Sequence, residues 1–163
     1  MSTADSPERP PPRIEGPPPR ILVLQAPYYR AVIEGMRRGA DALLAAVGAE
    51  VETAEVAGAF ELPGALRLAL KAPRGRRWDG FLVLGCVVKG ETDHYDHICR
   101  EACRGVMDIA VETGVPIGFG LLTVHSLAQA EARSRPEDRH NKGAEAANAL
   151  LMQLALARRW GVA

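Results

Sequence analysis

The chain predicts an α/β fold, a mostly parallel sheet with helices on both of its faces. From Ile21 onward, short apolar runs alternate with segments of helical periodicity in the order β-α-β-α-β-α-β-α-α. Parallel neighbours in such a pattern need crossovers, which lay the helices over the sheet with a right-handed sense. The run Phe81 to Leu84, continued past Gly85 into Cys86-Val87-Val88, contains no polar residue. A strand covered on both faces reads this way, whereas a half-exposed one alternates.

Each element follows from local pattern. Ile21 to Gln25 is an apolar run closed by Ala26-Pro27, which predicts a buried strand. Ile33, Met36, Ala40, Leu43, Leu44 and Val47 recur at helical spacing, and Gly48 is placed to end that helix. Glu50 to Val56 alternates polar and apolar residues, with Val51, Thr53 and Val56 as strand formers. Leu62 to Leu70 is a helix entered through Pro63, a residue suited to the first turn. After the strand Phe81 to Val88, a helix from about His94 to Thr113 carries Ile98, Ala102, Val106, Ile109 and Ala110 on one face. Gly114-Val115-Pro116 supplies its cap and stop. Ile117 to Leu122 is the fourth strand, Leu127 to Ser134 a short helix, and Lys142 to Arg158 a last helix opened by Asn141. That last helix is apolar in most directions, through Ala146, Ala147, Ala149, Leu150, Leu151, Met152, Leu154 and Leu156. Four strands offer too little surface to cover it, so burial by a second copy is expected.

Ahead of Ile21, residues 1–20 hold seven prolines and almost nothing apolar. Such a segment cannot offset its ordering entropy and is expected to be a disordered or extended tail, leaving residues 21–163 as the one domain. At 163 residues and 47% hydrophobic, the chain suits a single globular core. Lys+Arg and Asp+Glu both total 20, so no overall charge draws the protein to nucleic acid. Arg74, Arg76 and Arg77 form the one tight basic cluster, best read as a solvated loop. Three cysteines, Cys86, Cys99 and Cys103, are an odd set that suits a reducing cytoplasm better than a disulfide framework. No apolar stretch reaches membrane-spanning length, and the amino terminus lacks the apolar core of a signal peptide.

The chemistry concentrates after the third strand, where Lys89-Gly90-Glu91-Thr92-Asp93-His94 links it to a helix. Ligands of parallel sheets bind beyond the carboxyl ends of strands, beside helix N-termini. Gly90 allows close backbone approach and Thr92 offers a hydroxyl. The His94 imidazole belongs to a type that moves protons near neutral pH. Thr92 or Asp93 equally suits an ordinary N-cap. Three other loops fall near strand ends: Ala26-Pro27-Tyr28-Tyr29, Gly58-Ala59-Phe60-Glu61-Leu62-Pro63, and Phe119-Gly120 with Arg133 beyond. They add aromatic faces, a carboxylate that can bind hydroxyls, and a guanidinium that can hold phosphate. The set suits a planar, polyhydroxylated substrate meeting a small phosphorylated one. His94 and His97 with Glu101 could instead share a helix face and hold zinc, and Lys142 could form a Schiff base.

Gly58 to Pro63, Leu84 to Asp96, Val115 to Thr123 and Asn141-Lys142-Gly143, in that order, resemble the 6,7-dimethyl-8-ribityllumazine synthases of riboflavin biosynthesis over about residues 21–157. The resemblance implies a three-layer, flavodoxin-like α/β sandwich with a four-stranded parallel sheet. It implies condensation of 5-amino-6-(D-ribitylamino)uracil with 3,4-dihydroxy-2-butanone 4-phosphate, without metal or organic cofactor. It also implies cytoplasmic pentamers, in some members decamers or shells, with sites between subunits. By position, His94 matches the catalytic histidine and Tyr28 the aromatic that stacks on the pyrimidine. Ala59, Phe60 and Glu61 match the ribityl-binding loop, and Cys86, Val87 and Val88 the segment whose backbone reads the ring. Glu91 and Thr92 match the phosphate loop, Phe119 an aromatic from the adjacent subunit, and Arg133 the phosphate-binding arginine. Glu91 stands where alanine is common and is expected to turn its carboxylate away from phosphate. Tyr28 adds a hydroxyl to the usual stacking face, and Ala57 replaces a common proline. The stretch Arg133 to Lys142 is about one residue longer than in shell-forming members, which argues against a shell. A non-catalytic lumazine- or flavin-binding relative, or an assembly scaffold, is the rival implication.

Overall fold

The computed structural model describes residues 10–73, 77–138 and 140–162. Its elements run β1 (Arg20–Gln25), α1 (Arg30–Ala46), β2 (Glu50–Glu55), α2 (Leu62–Leu70), β3 (Gly80–Val88), α3 (His94–Thr113), β4 (Ile117–Val124), α4 (Leu127–Ala132) and α5 (Lys142–Arg159). The four strands are all parallel in the order β2-β1-β3-β4. The chain steps outward from β1 to β2, then crosses to β3 on the other side of β1. A crevice opens where the winding direction reverses, at the carboxyl ends of β1 and β3.

Period-two alternation sorts the strand side chains into two cores. Ile21, Val23, Leu82 and Leu84 point to the face covered by α1 and α5, where Ile33, Met36, Leu44, Leu150, Leu151 and Leu154 meet them. Leu22, Leu24, Phe81 and Val83 point to the face of α2 and α3, against Leu62, Leu66, Ala102, Val106 and Ile109. The result is three layers, helix on sheet on helix. Burying both faces of a strand such as β3, with Phe81 to Leu84 at 1% exposure or less, stabilises the domain by about 1.5–3 kcal/mol per large side chain.

Glycines let α1 and α5 approach closely. A Cβ on Gly143 would fall on the Met36 carbonyl, one on Gly35 would meet the Ser134 carbonyl, and one on Gly39 would lie 2.5 Å from Asn141 Cγ. The loop at Gly48 and the end of α3 at Gly114 take left-handed φ values of 69° and 66°, where a Cβ is penalised.

Several details differ from the sequence reading. β4 continues to Val124 because β3 supplies a partner that far, in the pair Val88 with Val124. α4 stops at Ala132, since the N–H of Arg133 turns back to Ala130 and Glu131. All six residues of β2 are exposed, although their alternation promised a covered face. The strand lies at the sheet's edge, while the helices pack over the central strands. One domain also covers more of α5 than its composition suggested, burying Gly143, Ala146, Ala147, Leu150, Leu151, Leu154 and Ala157. Ala149, Met152 and Leu156 stay open.

The proline-rich segment does not run free up to Arg20. Ile14 packs against the α1/α5 core, and Arg158 donates through Nη1 to the carbonyls of Glu15, at 2.5 Å, and Pro17, at 2.8 Å. The Pro19 carbonyl accepts from the Glu50 N–H at 2.8 Å, and Arg20 already belongs to β1. A guanidinium with several carbonyls to satisfy overrides the local composition. The rest of the tail, residues 1–9, and Arg74 and Arg76 of the basic cluster lie outside the described residues. No helix among the described residues is long and apolar enough to cross a membrane.

Candidate functional site

A cleft of about 640 Å³ opens at the carboxyl ends of β1, β2 and β3. The last residues of β3, Cys86-Val87-Val88, line it together with Tyr28 and Tyr29. Those tyrosines sit on a one-turn 3-10 helix, Pro27–Tyr29, whose start is pinned by the Ala26 N–H donating to the Leu84 carbonyl at 2.9 Å. Tyr28 is 76% exposed and meets Tyr29 edge-on, centroids 5.1 Å apart, so one aromatic face remains free for a planar ligand. A second 3-10 turn, Ala59–Glu61, forms another wall. Phe60 on it is 60% exposed. A Cβ on Gly58 would lie 3.2 Å from Glu61 Oε2, so the carboxylate stays at the loop mouth.

His94 is the first residue of α3 and lines the same cleft, with Ile98 one turn further on. Asp93, the N-cap residue just before the helix, makes no side-chain cap. Its carbonyl takes the N–H groups of Asp96 at 3.0 Å and His97 at 3.2 Å. The start of α3 therefore keeps the positive end of its dipole directed at the loop that holds Glu91 and Thr92. Those two are exposed and sit beyond the residues lining the cleft.

The cleft floor is electrically quiet. Burial pushes the Cys86 thiol up to about 11, with the neighbouring Cys99 thiol adding to the effect, so it is a neutral packing group rather than a nucleophile. Burial also raises the Tyr29 phenol, Cys86 contributing next. Cys86, Cys99 and Cys103 are all free thiols. The alternative zinc site loses its donors to cations: His97 Nδ1 lies 2.9 Å from Arg100 Nη2, and Glu101 accepts from Arg104 at 2.8 and 3.0 Å.

A second, smaller depression of about 240 Å³ lies between β4 and α5. Phe119, 42% exposed, Leu121, Lys142, Glu145 and Ala149 line it. Lys142 Nζ is held 2.5 Å from Glu145 Oε2, an ion pair that does not suit an imine-forming amine. Arg133 caps the end of α4 and lines neither cavity. Its Nη1 donates to the Gln129 carbonyl at 3.0 Å, and its own carbonyl accepts from the Lys142 N–H at 2.9 Å.

One chain therefore gathers Tyr28, Ala59, Phe60, Glu61, Cys86, Val87, Val88 and His94, and leaves Phe119 and Arg133 outside that cleft. Sequence reasoning placed Ile98 with the core face of α3. Its position four residues after His94, on the same side of the helix, was the available signal. Tyr29 was visible only as a neighbour of Tyr28, because the turn that points both rings at the cleft is not encoded by periodicity.

Residues 18–158 match the family model described as 6,7-dimethyl-8-ribityllumazine synthase. The chain is 43% identical over 141 residues to the 6,7-dimethyl-8-ribityllumazine synthase of Methylorubrum extorquens strain PA1, covering 85% of this chain and 81% of that protein. It is 40% identical over 147 residues to the enzyme of the same name from Paramagnetospirillum magneticum, covering 88% and 97%. It is 39% identical over 142 residues to 6,7-dimethyl-8-ribityllumazine synthase 1 of Rhodopseudomonas palustris, covering 86% of each. With its layered parallel sheet and the cleft at its strand ends, the chain belongs to the 6,7-dimethyl-8-ribityllumazine synthase family.

Proposed function

We propose that the chain condenses 5-amino-6-(D-ribitylamino)uracil with 3,4-dihydroxy-2-butanone 4-phosphate to 6,7-dimethyl-8-ribityllumazine, releasing phosphate and water, at sites shared between copies in a cytoplasmic ring. The observation that carries this reading is the gathering of Tyr28, Phe60, Glu61, Cys86 to Val88 and His94 around one open cleft. A planar pyrimidine stacks on the free face of Tyr28, above a floor of neutral groups that costs no desolvated charge. Backbone groups of Cys86 to Val88 read the ring edge, and Glu61 accepts from ribityl hydroxyls. His94 at the rim relays protons as the amine and ketone form an imine and lose water, again as phosphate leaves, and as the ribitylamino nitrogen closes the ring on the remaining carbonyl with loss of a second water. The N-terminal end of α3, with the backbone of Glu91 and Thr92, favours the departing dianion.

Among the described residues lining the cleft there is no lysine or arginine to hold that anion. Arg133 and Phe119 lie on the β4 and α4 side, where the partly exposed Phe119 lines a depression with Ala149, and Met152 and Leu156 are open further along α5. A ring repeats one heterologous contact, so a neighbour can present that face to the cleft of the next copy. The test is purified protein supplied with both substrates, followed by lumazine absorbance and phosphate release. Appearance of both products in equal amounts supports the enzyme. Tight lumazine or flavin binding without turnover would make the chain a binding protein instead.

A further inference from the structure

We propose that Asn141 is a positioning residue that holds the Arg133 loop in place for the phosphorylated substrate. The inference rests on the reading of Arg133 as a phosphate ligand. Asn141 is fully buried at 0% exposure, and its three side-chain hydrogen bonds join three separate pieces of the fold. Oδ1 accepts from the Ala144 N–H at 3.0 Å, which caps α5. Nδ2 donates to the Gly35 carbonyl in the middle of α1 at 3.0 Å and to the Arg135 carbonyl at 2.9 Å. Aspartate or serine would serve the cap as well as asparagine does. Only an amide also supplies a donor that two carbonyls can share, so the residue type is set by the loop and α1 rather than by the helix it opens.

The surroundings are shaped to receive this side chain. Gly35 and Gly39, one turn apart on α1, leave a slot. The Ser134 carbonyl occupies the space a Cβ would take at Gly35, and Asn141 the space at Gly39. The loop from Arg133 to Asn141 is thus closed at its ends by the Lys142 N–H on the Arg133 carbonyl, and pulled onto α1 through Asn141. Arg133 sits at the root of that closed loop. A phosphate ligand misplaced by about 1 Å can cost up to about a hundredfold, so a tie of this kind sets affinity without touching substrate.

The test compares four single variants and one double in steady-state kinetics. Asn141→Asp keeps the cap acceptor but sets a carboxylate oxygen against two carbonyls. It is expected to raise KM for the butanone phosphate by about tenfold, within the range that misplacement of a binding group produces, while pyrimidine affinity changes less than about twofold. Gly39→Ala pushes on Asn141 from α1 and should reproduce that split, and it decides the matter if the aspartate variant does not fold. Gly64→Ala, where a Cβ meets open space, should leave both constants unchanged. Added to Arg133→Ala, Asn141→Asp should have no further effect, because both act through one group. Equal losses for both substrates, or full additivity in the double variant, would overturn the positioning role. An Arg133→Ala protein with an unchanged KM for the phosphate would overturn the parent reading and this one with it. A normal response to Arg133→Ala beside an unchanged Asn141→Asp overturns this one alone.

Discussion

At the scale of single residues, the proposed reaction separates binding from proton transfer. It assigns contacts with one substrate to Tyr28, Glu61 and the end of β3, and none of these to the imidazole of His94. His94→Ala is therefore expected to lower kcat by about a hundredfold, the low end for a positioned acid/base group, and to leave the pyrimidine dissociation constant within a factor of about two. Stopped-flow formation of lumazine together with equilibrium binding of the pyrimidine separates these quantities, and wild-type turnover by the variant would remove His94 from the chemistry. The residues of this cleft were largely legible beforehand because they occupy three contiguous loops at strand ends. What stayed hidden was how side chains from different elements converge. Ile98 and Tyr29 enter the cleft through helix phase and turn geometry, and the burial that keeps Cys86 neutral comes from its place in the core on the α1 and α5 side of the sheet.

At the scale of elements, the close contact of α1 with α5 is the least forgiving feature of the fold. Gly143→Ala should raise intrinsic helix propensity by about 1 kcal/mol. The added methyl, however, meets backbone at Met36 rather than a movable side chain, and overpacking of that kind typically costs about 1–3 kcal/mol. The clash wins, and the melting temperature is expected to fall by several degrees, roughly 2–4 °C per kcal/mol in a chain of this size. A thermal midpoint at or above that of the parent protein would mean the two helices can separate at little cost. Strand and helix order was readable from periodicity alone. Interelement effects were not. The docking of Glu15 and Pro17 depends on Arg158, 143 and 141 residues away in the chain, and the bare faces of β2 reflect where the helices choose to pack.

At the scale of the whole molecule, the separation of Phe119 and Arg133 from the His94 cleft predicts complementation. Inactive His94→Ala and Arg133→Ala proteins, dissociated, mixed equally and reassembled, should rebuild both groups at about a quarter of the interfaces of a closed ring. Native mass spectrometry verifies mixing, and activity no higher than that of the separate variants, despite mixed rings, would place each site within one copy. Association between copies also has an unwanted form, and β2 bears on it. Among the described residues no strand pairs with its outer edge, and the backbone amides and carbonyls there can invite an extended chain to add on. Glu50, Glu52 and Glu55 stand along it, with the first drawn toward Arg20, the second accepting from Trp78 and the third from Gln25. These are poor strand formers, and their value lies in that poverty. Substituting valine or isoleucine would improve the strand by every local measure, yet it would remove the guard against fibrous growth. At this edge the mediocre strand is the safer one.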